Sequence, residues 1–549
     1  MTMYSTKSPE SHSFQLLIKQ LWNAPLAYAS EQEIVYRDRV RLTYTQLRQR
    51  VGRLGSALSA LDIGMGGTVA VMDWDSHRYL ECYYAIPMLG AALMTVNVRL
   101  APEQIVYTLN HAEAAILLVN SDFRDVLTAI WPKLRTVRCI VWISDDEAAP
   151  PEAVPCAGEY EALVADGDPL FHFPDFDENT RATIFYTTGT TGDPKGVFFT
   201  HRQLVLHTLA TMAALASPAT NQRFHRGDVY MPLTPMFHVH AWGIPYVALQ
   251  LGVKQVYPGR YQPELLLGLI ERERVTFSHC VPTILQMVLS AQSEKGTDLT
   301  RWKVVIGGSA LPTALAALAR ERGIDIFGGY GMSETCPVLA LAQLHPSLGN
   351  PDADREIAFR CKAGAPLPLV ELRTVDDDMQ DVSGAGATGE VVVRAPWLTQ
   401  GYWKNPDASV ALWTGGYLHT QDIGYIESGY LKVTDRIKDV IKSGGEWVSS
   451  VQIEDLLSSH PAVRECAVIG VKDDRWGERP LALVVLEANA PAAGIEDELK
   501  DHLRKLADAG AISRYAIPGR VQLVDAIAKT SVGKIDKKAL RSIYSSAAN

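Results

Sequence analysis

A glycine- and threonine-rich turn separates two apolar runs of this chain, in the stretch Tyr186-Thr187-Thr188-Gly189-Thr190-Thr191-Gly192-Asp193-Pro194-Lys195-Gly196-Val197. Residues 182–186 before the turn and 197–199 after it are apolar, so the pattern predicts a strand, a tight turn and a second strand. The turn presents backbone N–H groups, hydroxyls and one ammonium. A polyanion such as a nucleoside triphosphate is bound by that set of donors.

This stretch is not a Walker A loop, in which the lysine follows a glycine directly and precedes serine or threonine. Here Asp193 and Pro194 stand between Gly192 and Lys195, and Gly196 follows the lysine. Taken alone, the stretch is also compatible with a solvated turn that binds nothing. The interpretation therefore depends on motifs further along the chain.

The composition is that of a globular protein with more than one domain. The chain has 549 residues, of which 47% are hydrophobic and 21% charged, and its net charge of −10 argues against a nucleic-acid-binding surface. Seven scattered cysteines without a CxxC pair favour buried thiols in a reducing compartment. Residues 1–14 lack the apolar core of a signal peptide. We therefore expect a cytoplasmic protein, in which residues 80–98 are a buried helix followed by a strand rather than a transmembrane segment.

Apolar periodicity predicts alternating helices and strands. Leu47, Val51, Leu54 and Leu58 recur at helical spacing, and Thr45 is the candidate cap of that helix. The alternation favours α/β layers with a largely parallel sheet, whose predicted strands are residues 68–72, 92–97, 115–119 and 139–143. Further strands are predicted at 390–394, 429–433, 464–471 and 481–486, with a helix over 495–506.

A second polar motif is Gly328-Gly329-Tyr330-Gly331-Met332-Ser333-Glu334-Thr335, in which a hydroxyl and a carboxylate follow an aromatic ring between glycines. It is either a tight turn with a packed tyrosine, or a site in which Tyr330 stacks on a flat base, Ser333 bonds a phosphate and Glu334 holds Mg²⁺. Asp422 follows in the loop Thr420-Gln421-Asp422-Ile423-Gly424. Such an aspartate is either a turn former or a ligand of ribose hydroxyls.

The last two motifs each contain lysine and glycine. Residues 434–447 are dense in charge and glycine, so we place a domain boundary and a working hinge at Asp435. Near the C-terminus, the motif Thr530-Ser531-Val532-Gly533-Lys534-Ile535 carries a lysine on a short glycine loop. Lys534 is either a solvated surface residue or a mobile point charge that reaches a phosphate.

Taken together and in this order, the five motifs resemble the adenylate-forming superfamily of acyl-CoA synthetases, luciferases and adenylation domains. The resemblance extends from about the Leu47 helix to Lys538. It implies an α/β fold with a large N-terminal domain of several subdomains, built of layered sheets and helices, over residues 1–434. A small mobile α/β domain over residues 435–549 would carry the catalytic lysine.

The resemblance implies a two-step reaction. A carboxylate attacks the α-phosphate of Mg²⁺·ATP to give acyl-AMP and pyrophosphate, and the thiolate of coenzyme A (CoA) then displaces AMP. The implied catalytic residues are Lys534 and Glu334, and the implied metal ligands are Thr190 and Glu334. The implied ATP- and AMP-binding residues are Thr187, Thr188, Gly189, Thr190, Thr191, Lys195, Ser309, Ala310, Gly329, Tyr330, Gly331, Met332, Ser333, Asp422 and Arg436.

The second step requires Lys534 to leave and a thiol channel to form, which the family achieves by rotating the small domain about the hinge, here Asp435. The implied CoA contacts are Ser443, Gly444 and Gly445, where backbone without side chains leaves room for pantetheine. The implied acyl-site residues are His238 and Trp242. Trp242 is equally well read as a core aromatic or as a gate to the acyl tunnel.

Within the superfamily, residues 235–243 and 442–450 look most like medium- and long-chain fatty acyl-CoA ligases. The alternative is a CoA ligase for a short, branched, aryl or heteroatom-containing acid. An amino-acid adenylation domain would carry an acidic residue for the α-amine, and residues 231–247 contain none. A luciferase shares the adenylation half, and a non-enzymatic scaffold would have lost the charged residues retained here. Family analogy also suggests a homodimer.

Overall fold

The computed structural model of the chain describes residues 7–187, 193–349, 351–443, 446–473, 475–530 and 533–544. Its strands are, in chain order, Glu33–Tyr36 (β1), Val40–Thr43 (β2), Thr68–Met72 (β3), Ala92–Thr95 (β4), Ile116–Asn120 (β5), Cys139–Ile143 (β6), Cys156–Glu159 (β7), Arg181–Thr187 (β8), Lys195–Thr200 (β9), Val229–Pro232 (β10), Lys254–Tyr257 (β11), Phe277–Cys280 (β12), Lys303–Ile306 (β13), Asp325–Gly331 (β14), Val338–Leu341 (β15), Ala365–Pro366 (β16), Glu371–Val375 (β17), Gly389–Arg394 (β18), Leu418–Glu427 (β19), Tyr430–Arg436 (β20), Ile441–Ser443 (β21), Glu446–Val448 (β22), Val463–Asp473 (β23), Gly477–Leu486 (β24) and Arg520–Leu523 (β25).

The α-helices alternate with these strands along most of the chain. They are Asn23–Tyr28 (α1), Tyr44–Ala60 (α2), His77–Met88 (α3), Pro102–His111 (α4), Arg124–Ile130 (α5), Tyr160–Asp166 (α6), His201–Ala216 (α7), Ile244–Leu251 (α8), Pro263–Glu273 (α9), Pro282–Lys295 (α10), Thr313–Glu321 (α11), Ala353–Arg360 (α12), Pro406–Leu412 (α13), Ser450–Ser458 (α14), Ile495–Asp508 (α15) and Lys537–Tyr544 (α16).

The first sheet has seven strands in the order β7-β6-β5-β3-β4-β8-β9. All neighbours are parallel except β8 and β9, which form an antiparallel pair in which Thr187 lies opposite Lys195. Strands β3, β4 and β5 are buried along their whole length, as expected for parallel strands covered on both faces. The two strands predicted on either side of the glycine-rich stretch are thus confirmed, and they lie at one edge of this sheet.

The second sheet has nine strands in the order β16-β15-β14-β13-β12-β10-β11-β1-β2. Strands β10, β12, β13 and β14 run parallel to one another, so their carboxyl ends meet at one edge. That edge brings together the loop after β13, which contains Gly308, and the end of β14, which contains Tyr330. In an open α/β sheet this is where ligands bind.

A third sheet is antiparallel, with four strands in the order β17-β18-β19-β20. A fourth, five-stranded sheet contains β21 to β25 and packs with α14, α15 and α16. Its core contains Ile495, Leu499 and Leu503 of α15, the apolar face that the sequence predicted. The predicted α/β architecture, a large layered N-terminal part followed by a smaller α/β unit, is confirmed.

Two local predictions were wrong. Helix α2 is capped by Thr43, whose hydroxyl accepts from Gln46 N while Gln46 bonds back to Thr43 N. Thr45 instead lies in the first turn and donates to the carbonyl of Ser30 at 3.1 Å. The cysteines are also not uniformly buried, because Cys156 is exposed on the edge strand β7.

Residues 80–98 were predicted to be a helix followed by a strand, and α3 and β4 confirm this. Every residue of both elements is buried inside the protein. Among the residues that the structure describes, no helix is long and apolar enough to cross a membrane.

Candidate active site

Lys195 is the first residue of β9, the edge strand of the seven-stranded sheet. The Lys195 ammonium lies 4.7 Å from the ring centroid of Tyr402, a cation–π arrangement. Thr187 ends β8 directly opposite. Thr188, Gly189, Thr190 and Thr191, which were predicted to bind the nucleotide, lie outside the described residues, as do the predicted CoA contacts Gly444 and Gly445.

The motif begins within strand β14, where two of its glycines pack against backbone or core. A side chain at Gly331 would place Cβ 1.8 Å from the carbonyl oxygen of Pro337, and one at Gly329 would meet Val305 at 2.9 Å. Met332 and Ser333 follow in the turn, and Met332 N donates to Thr335 Oγ1 at 3.0 Å. Close packing within β14 therefore accounts for these glycines. The tight turn considered for them is not formed by the glycines themselves, because the chain turns only after them, at Ser333–Thr335.

Two carboxylates, those of Glu334 and Asp422, are buried at this edge. Glu334 Oε1 accepts a hydrogen bond from the Tyr402 hydroxyl at 2.8 Å, and burial raises the pKa of this carboxyl even though Tyr402, Arg436 and Lys195 oppose the rise. The Tyr330 hydroxyl donates to Asp422 Oδ2 at 2.7 Å. This bond holds the aromatic ring of Tyr330 beside Asp422. The sequence placed Asp422 in a loop between strands, but it lies within strand β19, paired with β20.

Asp422 and Arg436 face each other across β19 and β20 in direct register. Arg436 Nε lies 3.2 Å from Asp422 Oδ1. Burial raises the pKa of the Asp422 carboxyl. Burial acts to lower the pKa of Arg436, but the negative charge of Asp422 outweighs this effect and raises it. The preceding Gln421 has φ +62°, a left-handed conformation that turns the strand so that Asp422 points inward.

Lys534 belongs to the C-terminal part of the chain, yet its side chain lies against Gly308 and close to Arg436, Asp422 and Glu334. We call the space among these residues the cleft. A Cβ on Gly308 would meet Lys534 Cε at 3.1 Å, so the absence of a side chain at Gly308 makes room for the lysine. Burial and the neighbouring Arg436 lower the pKa of Lys534 to about 8, while Asp422 and Glu334 act in the opposite direction. Ser309 and Ala310 follow Gly308 and are exposed at the opening.

The predicted acyl-site residues lie in a strained segment between β10 and α8. Val239, His240, Ala241, Trp242 and Gly243 all have φ between +47° and +71°. Such a run is costly for residues other than glycine, because Cβ crowds the following carbonyl. It aims Trp242 inward, where the side chain is 6% exposed.

The indole of Trp242 packs between a glycine and a histidine. A Cβ on Gly307 would lie 2.8 Å from Trp242 Cη2, and the ring of His279 is 4.9 Å away between centroids. His279 is hydrogen-bonded through both nitrogens, to the Tyr230 hydroxyl at 2.8 Å and to Thr234 Oγ1 at 3.2 Å. Burial lowers its pKa to about 3, so this wall is uncharged at neutral pH.

His238 lies close enough to Lys534 for the ammonium to affect its titration. Burial lowers the pKa of His238 to about 3, and the positive charge of Lys534 contributes in the same direction. His238 is therefore a neutral imidazole at the junction between the acyl segment and the lysine.

The predicted hinge residue is buried where β20 meets α14. The Asp435 carboxylate accepts hydrogen bonds from Arg436 N at 2.8 Å and from Ser450 N and Oγ at 2.6 Å each. Lys537 also donates to Ser450 Oγ at 2.5 Å. Ser443, a predicted CoA contact, is buried in β21, and Arg479 donates to its hydroxyl at 3.4 Å.

A second contact joins the two parts of the chain away from Lys534. Helix α11 follows Pro312, whose side chain makes no cap hydrogen bond. The cap comes instead from Asp455 of α14, whose carboxylate accepts from Thr313 N at 2.8 Å and from Thr313 Oγ1 at 2.9 Å. In this orientation, one part of the chain therefore completes a helix of the other.

The structure brings together five charged groups that the sequence singled out, those of Lys195, Glu334, Asp422, Arg436 and Lys534. Sequence reasoning missed Tyr402, Asp455 and His279. Of these three, only Tyr402 had a signal in the sequence, the aromatic pair Tyr402-Trp403 after Gly401. No neighbouring motif in the sequence indicates what this pair would contact.

The donor set fits a nucleotide with Mg²⁺. Within the described ranges, no three His, Cys, Asp or Glu side chains are grouped to hold a metal ion. Mg²⁺ needs fewer protein ligands than that, because it is commonly held by one or two carboxylates together with substrate phosphates. The buried Glu334 beside Lys195 suits this arrangement.

Comparison with known proteins gives consistent matches over most of the chain. The family model described as AMP-binding enzyme matches residues 23–403, and the AMP-binding enzyme C-terminal domain matches residues 452–534. The long-chain-fatty-acid–CoA ligase of Thermus thermophilus is 40% identical over 92% of this chain and 90% of its own. The 3-methylmercaptopropionyl-CoA ligase of Ruegeria pomeroyi is 38% identical over 89% of each. In fold, the anthranilate CoA ligase AuaEII superposes with a TM-score of 0.85 at 24% identity, over 97% of this chain and 98% of its own.

Proposed function

Because the chain belongs to the AMP-binding enzyme family and is an AMP-forming acyl-CoA ligase, we propose that it activates medium- to long-chain fatty acids. The single observation that carries the proposal is the wall around Trp242. The indole rests on Gly307 and on the uncharged ring of His279, whose two nitrogens are both engaged elsewhere. Such a wall favours an apolar chain and has no cation for a second carboxylate.

A second candidate is an acid that is short, branched or aryl or that contains a heteroatom. The close packing of Trp242 on Gly307 supports it, because the indole shortens the acyl site for as long as it remains in place. The similarity to a 3-methylmercaptopropionyl-CoA ligase points the same way. The two candidates therefore differ in whether Trp242 moves when the acid binds.

We assign the adenylation step to the charged cluster in the cleft. Lys195 and Lys534 neutralise charge on the phosphates, and the Asp422–Arg436 pair orients the ribose beside Tyr330. Glu334 would hold Mg²⁺, and the bound ion would supply positive charge to the phosphates. Thr188, Gly189, Thr190 and Thr191 of the glycine-rich stretch complete the phosphate site in this proposal.

We assign the thioester step to a second orientation of residues 435–549, reached by rotation at Asp435. Withdrawal of Lys534 would open the cleft, and Ser443, Gly444 and Gly445 would then contact CoA. The buried hydrogen bonds between Asp435 and Ser450 support a defined pivot rather than a loose linker. A homodimer, suggested by family analogy, is tested by light scattering of the purified protein.

The substrate assignment is tested by a panel of straight-chain acids from two to eighteen carbons, together with benzoate and 3-methylmercaptopropionate. The readout is kcat/KM for AMP release. An apolar site rewards each methylene by up to about 0.8 kcal/mol, which is about fourfold in kcat/KM. We expect a steep rise to an optimum in the medium range, and a flatter profile for Trp242→Ala than for the conservative Trp242→Phe. A preference for acetate, benzoate or 3-methylmercaptopropionate would refute the fatty-acid assignment and leave the ligase chemistry intact.

A further inference from the structure

The segment that contains Tyr402 is held between strand β9, which begins with Lys195, and the turn Ser333–Thr335, which contains Glu334. Thr399 N donates to the carbonyl of Glu334 at 3.0 Å, and Trp403 N donates to the carbonyl of Gly196 at 2.8 Å. Tyr402 itself forms an isolated antiparallel bridge with Val197 of β9. Its backbone position is therefore set by both sides of the phosphate site.

The side chain of Tyr402 contacts a cation and an anion at once. Its hydroxyl donates to Glu334 Oε1 at 2.8 Å, and the ammonium of Lys195 lies 4.7 Å from its ring centroid. Glu334 is only 7% exposed. Lys195 also acts electrostatically on Glu334, yet among the described residues it forms no ion pair within 4.0 Å of any carboxylate.

Opposite charges at the edge of a desolvated cleft tend to pair, and pairing would neutralise the groups that a nucleotide needs. The aromatic ring offers the ammonium an alternative partner, and the hydroxyl offers one to the carboxylate. We propose that Tyr402 is a positioning residue of adenylation, which keeps Lys195 and Glu334 apart and available. This inference rests on the proposed placement of Mg²⁺·ATP at these two residues.

The experiment separates the ring from the hydroxyl. Tyr402→Phe keeps the ring but removes the hydrogen bond to Glu334, whereas Tyr402→Leu removes both contacts. Tyr417→Phe is the matched control, because the Tyr417 hydroxyl also donates to a carboxylate, Glu371 Oε1, at 2.7 Å. Each variant is made alone and in a Glu334→Gln background. The readouts are the equilibrium affinity for ATP in EDTA, the Mg²⁺ concentration for half-maximal adenylation, and the melting temperature.

For Tyr402→Phe we expect the half-saturating Mg²⁺ concentration to rise roughly five- to tenfold, with ATP affinity in EDTA nearly unchanged because the ring still holds Lys195. For Tyr402→Leu we expect that affinity to fall several-fold as well, because Lys195 then pairs with Glu334. In the Glu334→Gln background both effects should vanish, since the carboxylate on which they depend is absent. Tyr417→Phe should change neither quantity.

Equal effects of Tyr402→Phe with and without Glu334→Gln would overturn the proposal, and so would equal effects of Tyr402→Phe and Tyr417→Phe. The comparisons made with Tyr402→Phe remain decisive even if Tyr402→Leu lowers the melting temperature too far for that variant to be studied. A different result marks failure of the underlying placement. If Glu334→Gln alone leaves the Mg²⁺ dependence of adenylation unchanged, Glu334 is not the metal ligand. Tyr402 then cannot position Glu334 for Mg²⁺.

Discussion

The lowered pKa of Lys534 should make the two proposed half-reactions respond differently to pH. Burial and Arg436 lower this pKa to about 8 in the ligand-free cleft. The ammonium is then about 90% protonated at pH 7 and about 10% protonated at pH 9. If adenylation requires the charged form, its rate at low ATP should fall about ninefold between these two values. At saturating ATP the fall should be smaller, because the bound phosphates raise the pKa of Lys534.

Lys534→Arg is the matched variant, since arginine stays protonated throughout this range. Its adenylation rate should be lower than wild type at pH 7 but should change less than twofold up to pH 9. The assay is single-turnover formation of acyl-AMP from saturating acid and low ATP. Thioester formation from supplied acyl-AMP serves as the internal reference, and it should not fall with pH, because CoA ionises further as pH rises.

Parallel pH profiles for wild type and Lys534→Arg would refute this reasoning, whatever their shape.

The lowered pKa of Lys534 also has a consequence for stability. The folded pKa of about 8 lies below the ordinary value of 10.5, so the folded state binds fewer protons between these limits. The contribution of Lys534 to the free energy of unfolding should therefore increase as pH rises from about 8 to 10.5.

Three further substitutions test separate features. Asp455→Ala removes the cap of α11, at a cost of about 1 kcal/mol, and should therefore shift the balance of the two orientations about fivefold. We expect adenylation to slow while thioester formation does not. Equal slowing of both steps would show that the contact does not favour one orientation. Asp435→Pro should block rotation, so that acyl-AMP forms and accumulates in a quenched time course; normal turnover would place the hinge elsewhere. Ala241 has φ +47°, so Ala241→Gly should leave the melting temperature unchanged or raise it, with a gain of up to about 1 kcal/mol in the free energy of unfolding. The control Ala248→Gly, inside α8, should lower the melting temperature. Similar losses in both variants would argue against strain at residue 241.

The sequence predicted the elements whose signals are local. The strand pair around the glycine-rich turn, the buried pattern of β3 and β6, and the α/β architecture all follow from short-range apolar periodicity. The motifs also identified the charged residues that the fold gathers at one edge. The assignment of roles within that cluster rests on the family resemblance and on the experiments above.

What the sequence could not predict depends on contacts between distant segments. Tyr402 lies 68 residues from Glu334 along the chain, and Asp455 lies 142 residues from Thr313. Neither pair has a spacing that local patterns can detect. The cap of α2 was misplaced for a different reason, since Thr43 and Thr45 both suit a cap, and Gln46 at the third helical position decides for Thr43.

The cap that Asp455 lends to α11 also provides a built-in reporter. The amide of Thr313 belongs to the first turn of a helix, where N–H groups have no partner within the helix itself. Its hydrogen is protected by Asp455 only while the two parts of the chain are docked in this orientation. Amide exchange at this single position, followed as ATP, acid and CoA are added in turn, should therefore measure the docked fraction in solution without any attached label.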